Sequence, residues 1–224
     1  MVAAEITGRE RLTALRALVR SRFPGVFDNL SCRGRQSGGT SPLLLAGWPE
    51  LSAAWPGDGI VELMDGAGAR RTWLAMRLVA AQGERGEPVA WLDPLDCFDP
   101  VSAALQGVRL PLLLWVRPQG IRAALTAAEV LLPFFSLVVL DLGWSNATSG
   151  EQQVRECRSL PPLSAWLRLQ RSCRRSRAVL VVIAPGGAES MVRTAADLRI
   201  GAGPRAIPWP RRNQNEAGRI RVLA

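Results

Sequence analysis

Short apolar runs recur along the chain at Ile60–Met64, Val89–Asp93, Leu112–Val116, Leu137–Leu142 and Ala178–Ile183. They are rich in Val and Leu and do not alternate with polar residues, which is how strands buried on both faces read. Between them lie segments with helical spacing: Trp73–Gln82, Pro100–Gln106, Ile121–Leu132 and Leu163–Arg175. Apolar runs alternating with helices predict βαβ units. The expected fold is α/β: a mostly parallel sheet with helices on both faces, preceded by an N-terminal helix.

That first helix is announced by Thr7-Gly8-Arg9-Glu10, a Thr N-cap with Glu three residues later. Leu12, Leu15, Leu18 and Val19 then fall on one face, and Phe23-Pro24-Gly25 ends the helix. Such a face either docks on a partner or folds back on its own domain. Residues 31–41 are a Gly/Ser/Arg linker, and the chain from Gly203 has Gly, Pro, Arg and Asn without periodicity, with Arg219–Leu223 a short strand candidate. The expected organisation is therefore helix and linker over 1–42, a core over 43–202 and a tail over 203–224.

At 224 residues and 48% hydrophobic, the chain can bury one sizeable core. No run of 18 uncharged apolar residues predicts a membrane span. The charged N-terminus, with Glu5, Arg9, Glu10 and Arg11, lacks the apolar stretch of a signal peptide. Cys32, Cys97, Cys157 and Cys173 are far apart, with no C-x-x-C pair, which fits a reduced cytoplasmic protein without zinc or a disulfide framework.

Every one of the 28 basic residues is arginine, and there is no His and no Tyr. Histidine acid–base chemistry, Ser-His triads and histidine metal sites are thereby excluded. A net charge of +9 points to an anionic partner such as nucleic acid, although an arginine-biased genome gives the same excess. Arg168, Arg171, Arg174, Arg175 and Arg177 cluster on and after one helix, with Trp166 interleaved. They form a candidate DNA-binding patch; the alternative is an ordinary solvated face. Trp209, Arg211 and Arg212, with Trp209 set between prolines, form a second candidate contact, for a partner or a base.

The chemistry-bearing stretch is Gly59 to Leu74: a strand, a glycine-containing turn and a helix start. That is the layout of a phosphate-binding loop, where backbone N–H groups at a helix N-terminus cradle an anion. The usual pattern is G-x-x-x-x-G-K-[ST]. After Gly66 and Gly68, Arg70 stands where the second glycine belongs and Arg71 where the lysine belongs, with Thr72 following, and the spacing is one residue short. The shortening removes about 3.3 Å of chain. Arg71 also substitutes a rigid planar fork for a compact ammonium.

The order of motifs resembles the RecA/RadA superfamily over roughly residues 43–202. Gly47-Trp48-Pro49-Glu50-Leu51-Ser52 looks like its lead-in, Gly59–Leu63 its first core strand, Ala90–Pro100 its second strand and exit, and Leu137–Asp141 its Walker B strand. Set in that register, the catalytic glutamate falls at Leu95, with Asp96 next to it. The adenine-stacking tyrosine falls at Ser102, and the γ-phosphate sensors at Ala184-Pro185. Asp141 is retained. In the family, the region matching the arginine helix lies near DNA-facing loops. The resemblance thus implies a vestigial nucleotide site at Gly66, Gly68, Arg70, Arg71, Thr72 and Asp141, no catalytic residue, no ATP or Mg²⁺ cofactor and no metal.

The shortened, degenerate form is similar to the ImuA-type branch of the superfamily. That resemblance implies a cytoplasmic bacterial protein, an SOS-response accessory scaffold in mutagenic translesion synthesis. Its partner would be an inactive Y-family polymerase-like protein of ImuB type. RecA, an error-prone replicative-type polymerase and single-stranded DNA are further candidates. Leu12, Leu15, Leu18, Val19, Trp209, Arg211 and Arg212 are the expected partner contacts. The competing expectations are a DNA-dependent ATPase with a divergent loop and a SulA-like cell-division regulator.

Overall fold

The computed structural model describes residues 8–24, 54–64, 69–142, 161–183, 192–201 and 221–223. Within them lie α1 (Gly8–Arg22), β1 (Gly59–Met64), α2 (Ala69–Glu84), β2 (Val89–Leu92), α3 (Pro100–Leu105), β3 (Leu113–Val116) and α4 (Gly120–Leu131). They are followed by β4 (Leu137–Asp141), α5 (Leu163–Ser176), β5 (Val179–Ile183), α6 (Val192–Ala195), β6 (Leu198–Gly201) and β7 (Arg221–Leu223). The strands form one sheet in the order β3-β2-β4-β5-β1-β6-β7. All neighbours are parallel except β6 and β7. A mostly parallel sheet with helices on both faces, preceded by an N-terminal helix, is what the sequence pattern predicted.

Side-chain alternation along these strands feeds two cores. Ile60, Leu92, Leu114, Leu140, Leu180 and Val182 pack on one face under α1, α4, α5 and α6. Val61, Leu63, Trp91, Val139, Val181 and Ile183 pack on the other under α2 and α3. Burial on both faces explains the unbroken apolar runs.

On the first face, α1 folds back on its own domain. Val19 is fully buried and Phe23 nearly so, and the Phe23 ring meets Phe135 edge-on at 5.8 Å. Val19 is therefore not a partner contact. Leu15 is partly buried against the same core, whereas Leu18 stays 49% exposed. The Leu12 side chain, Thr7 and the 31–41 linker lie outside the described residues.

Strand β6 was not anticipated, because Arg199 interrupts its apolar pattern. Arg199 sits directly opposite Glu62 of β1, and its Nε donates to the buried Glu62 carboxylate at 2.7 Å. A slip of one residue would leave that carboxylate buried without its guanidinium, so the pair fixes where β6 joins the sheet. Strand β7 then adds antiparallel to β6, joining the end of the expected tail to the core sheet.

The start of β1 is fixed just as tightly. The Asp197 carboxylate accepts the Ile60 N–H at 2.9 Å, and the Asp197 N–H donates to the Ile60 carbonyl at 2.8 Å. Gly59 lies beneath it at φ +123°, and a Cβ there would stand 2.2 Å from Asp197 Oδ2. Gly59→Ala should therefore cost about 2 kcal/mol or more, from backbone strain plus the clash. Urea unfolding should show this as a lower midpoint with an unchanged slope.

The two described cysteines differ sharply in environment. Cys173 is fully buried, and desolvation pushes its thiol up to about 12, whereas Cys97 is exposed. Iodoacetamide with peptide mapping should label Cys97 in the native protein and Cys173 only after unfolding.

Candidate functional site

In a parallel sheet every strand points its C-terminal end the same way, and ligands sit beyond those ends. Leu63 is level with Ile183 on β5, which is level with Asp141 on β4. Asp93 follows directly on β2. Helix α2 begins at Ala69, close after β1 ends at Met64, so the expected strand–loop–helix junction is present. The intervening Gly66 and Gly68 lie outside the described residues, as do the Arg70 side chain and Ala184-Pro185.

Arg71 lies in the first turn of α2, and its side chain is sealed in, with 3% of the residue exposed. Asp141 is equally sealed at 3%, and neither residue is without a partner. A cation in a helix's first turn opposes the helix dipole, so Arg71 is held there by its surroundings. Thr72 is half-buried. A guanidinium this enclosed has little surface left to meet a triphosphate.

The acids beyond β2 are committed elsewhere. Asp93, 1% exposed, accepts the Cys97 N–H at 2.9 Å, the Phe98 N–H at 3.0 Å and the Trp115 Nε1–H at 3.2 Å. It ties the turn after β2 to the edge strand β3. Asp96, in a left-handed conformation, forms an exposed ion pair with Arg117 at 3.2 Å. Asp99 caps α3 by accepting the Val101 and Ser102 N–H groups; the Ser102 hydroxyl and the Val101 N–H hold its carboxyl below the usual range. Ser102, expected in place of a stacking tyrosine, is thus part of a helix cap, and Leu95 is half-buried.

The arginines of α5 lie elsewhere. Helix α5 runs back towards the start of β5, so its last turn sits at the N-terminal end of the sheet, opposite the phosphate-loop junction. Arg174 pairs there with Asp197 at 2.9 Å, beside the first residues of β1. Arg168 pairs with Glu129 of α4. Arg171, Arg175 and Arg177 are exposed, Arg177 capping the helix in a left-handed conformation. Trp166, expected among the arginines, is fully buried in the core. Trp209, Arg211 and Arg212 lie outside the described residues.

One surface feature escaped sequence reasoning. On the open edge of the sheet, Val101 and Leu105 of α3 are 69% and 81% exposed, and Trp115 of β3 is 37% exposed. Phe98 packs between Trp91 and Trp115, with Arg117 over the Trp115 ring. The i, i+4 spacing of Val101 and Leu105 was the available signal. In so short a helix it reads equally well as a core-facing pair.

No protein-family model matches the chain, and no curated protein matches it. Among solved structures, the crystal structure of the RadB recombinase is similar over 73% of this chain and 86% of that one. The identity is 15% and the TM-score 0.48. Among the described residues, no helix is long and apolar enough to cross a membrane. Among the same residues, no group of three or more His, Cys, Asp or Glu is placed to hold a metal ion.

Asp93→Ala should behave as a structural lesion. It strips three buried or half-buried donors of their acceptor and should lower stability by about 3 kcal/mol. The urea unfolding midpoint would report it; an unchanged midpoint would show that the carboxylate does not organise the turn.

Proposed function

We propose that this chain is a non-catalytic, RecA-like accessory protein of DNA-damage tolerance, acting as a scaffold in mutagenic translesion synthesis. The observation that carries the reading is the state of the strand exits. Asp93, Asp96 and Asp99 are already engaged by backbone N–H groups, a serine hydroxyl or an arginine. Arg71 and Asp141 are sealed inside. Phosphoryl transfer works almost wholly by positioning and charge stabilisation, and losing one positioned group typically costs on the order of 100-fold or more. A site lacking the lysine and the loop length, with every described acid after β2 already engaged, has no route to a useful rate.

On this reading ATP and Mg²⁺ are not cofactors. The protein works by contact with an ImuB-type polymerase-like partner, with RecA and the error-prone polymerase as further members of the assembly. The partner assignment rests on the motif order in the sequence. The fold contributes the exposed rim of Val101, Leu105 and Trp115 as a surface available for contact.

Titration calorimetry with Mg-ATP should give no micromolar binding. Phosphate release should stay at background with and without single-stranded DNA, and Asp141→Ala should change neither. A DNA-stimulated rate abolished by Asp141→Ala would instead establish the ATPase alternative. Filamentation of cells on overexpression would favour the cell-division alternative.

A further inference from the structure

We infer that the outward face of α5 is a docking surface for the phosphate backbone of nucleic acid, at the end of the sheet opposite the phosphate-loop junction and independent of nucleotide. The inference rests on the reading above only in taking nucleic acid as part of this protein's surroundings.

The four arginines within α5 divide into two sets, Arg177 lying just beyond its end. Arg168 and Arg174 are latched to Glu129 and Asp197, on the two flanks of the helix. Arg171 and Arg175 point away from the buried face formed by Ala165, Trp166, Leu169 and Cys173. Among the described residues these two enter no ion pair. They are one helical turn apart, so their Cβ atoms lie about 5–6 Å from each other on one face. Helix α5 carries no acidic residue at all.

Simple helix stabilisation does not account for this. A basic residue in the last turn complements the helix dipole, which covers Arg174 and Arg175. It does not cover Arg171, a turn earlier. The latching of Arg168 and Arg174 holds the flanks of the helix to α4 and to the β6 lead-in, so the remaining cations stand on a rigid mount. Helix α1 ends at the same end of the sheet, where Phe23 meets Phe135, and brings Arg22 to it.

The chemistry favours phosphate over a protein partner. Arginine can anchor a protein interface, but it does so packed with aromatic and apolar side chains in a desolvated core. The exposed large apolar residues among those described are Leu18, Val101, Leu105, Leu110 and Trp115, none of them on α5. A surface of arginines without an apolar anchor fits sequence-independent backbone contact, governed by counterion release. Its distance from the strand C-terminal ends separates it from any anion held at the head of β1.

The test is fluorescence anisotropy of a labelled 30-nucleotide single strand and its duplex against the full-length chain, from 50 to 300 mM salt, with and without Mg-ATP. Arg171→Ala/Arg175→Ala should weaken binding several-fold and reduce the salt slope by about 1.4 for the single strand and about 1.8 for the duplex. The control Arg77→Ala/Arg122→Ala removes the same charge from exposed positions elsewhere on the sheet's surroundings and should leave the slope unchanged. Circular-dichroism melts should be the same for all three proteins. An unchanged slope in the α5 variant, or an equal loss in the control, overturns the proposal while leaving the dead-site reading intact. Affinity that changes with Mg-ATP overturns nucleotide independence and the dead-site reading, while the arginine surface stands. Binding to an acidic peptide as tight as to DNA would assign the face to a protein instead.

Discussion

The carboxylate of Asp197 holds three parts of this molecule in one place. One oxygen accepts the Ile60 N–H near the start of β1; the other accepts from Gln170 and Arg174 of α5. Its own N–H returns to the Ile60 carbonyl. Close approach of this group is possible only because Gly59 has no Cβ. Strand β1, the helix that covers it and the lead into β6 are thus indexed to a single side chain. Glu62 and Arg199 repeat the device one turn of the pleat further on, with the carboxylate fully buried.

These two carboxylates explain why so basic a chain has a well-defined acidic skeleton. Several of its acids are engaged in a cap, a turn or an ion pair, and this use competes with catalysis. A carboxylate that accepts three hydrogen bonds, as Asp93 does, has its lone pairs directed at the fold and is poorly placed to orient water. The same economy applies to the cations: an arginine latched to Glu129 or Asp197 is structural, whereas its neighbours one turn away are exposed to whatever anion approaches. Function, on this view, follows from which charges the fold leaves over.

The two ends of the sheet then have different characters. At the C-terminal end lie an enclosed arginine and an enclosed aspartate. At the N-terminal end lie helix termini rich in arginine. The parallel arrangement imposes this division, because every connecting helix must run back to the end from which the next strand starts.

The fold class, all the expected strands and helices and the strand–loop–helix junction were legible in the sequence. The physical reason is local: burial on both faces demands unbroken apolar runs, and 3.6-residue spacing marks the helices between them. The missing lysine and the displaced spacing after Gly66 were equally plain, being matters of residue type and count. Tertiary structure alone decided what each charge does. That Arg199 completes a buried pair, that Asp93 ties its turn to β3 through Trp115, that Val19 faces inward and that the α5 arginines stand at the far end of the sheet all depend on neighbours more than twenty residues away or on the direction of a helix. Spacing along the chain carries no information about such contacts, because they are made by the folding of one element onto another.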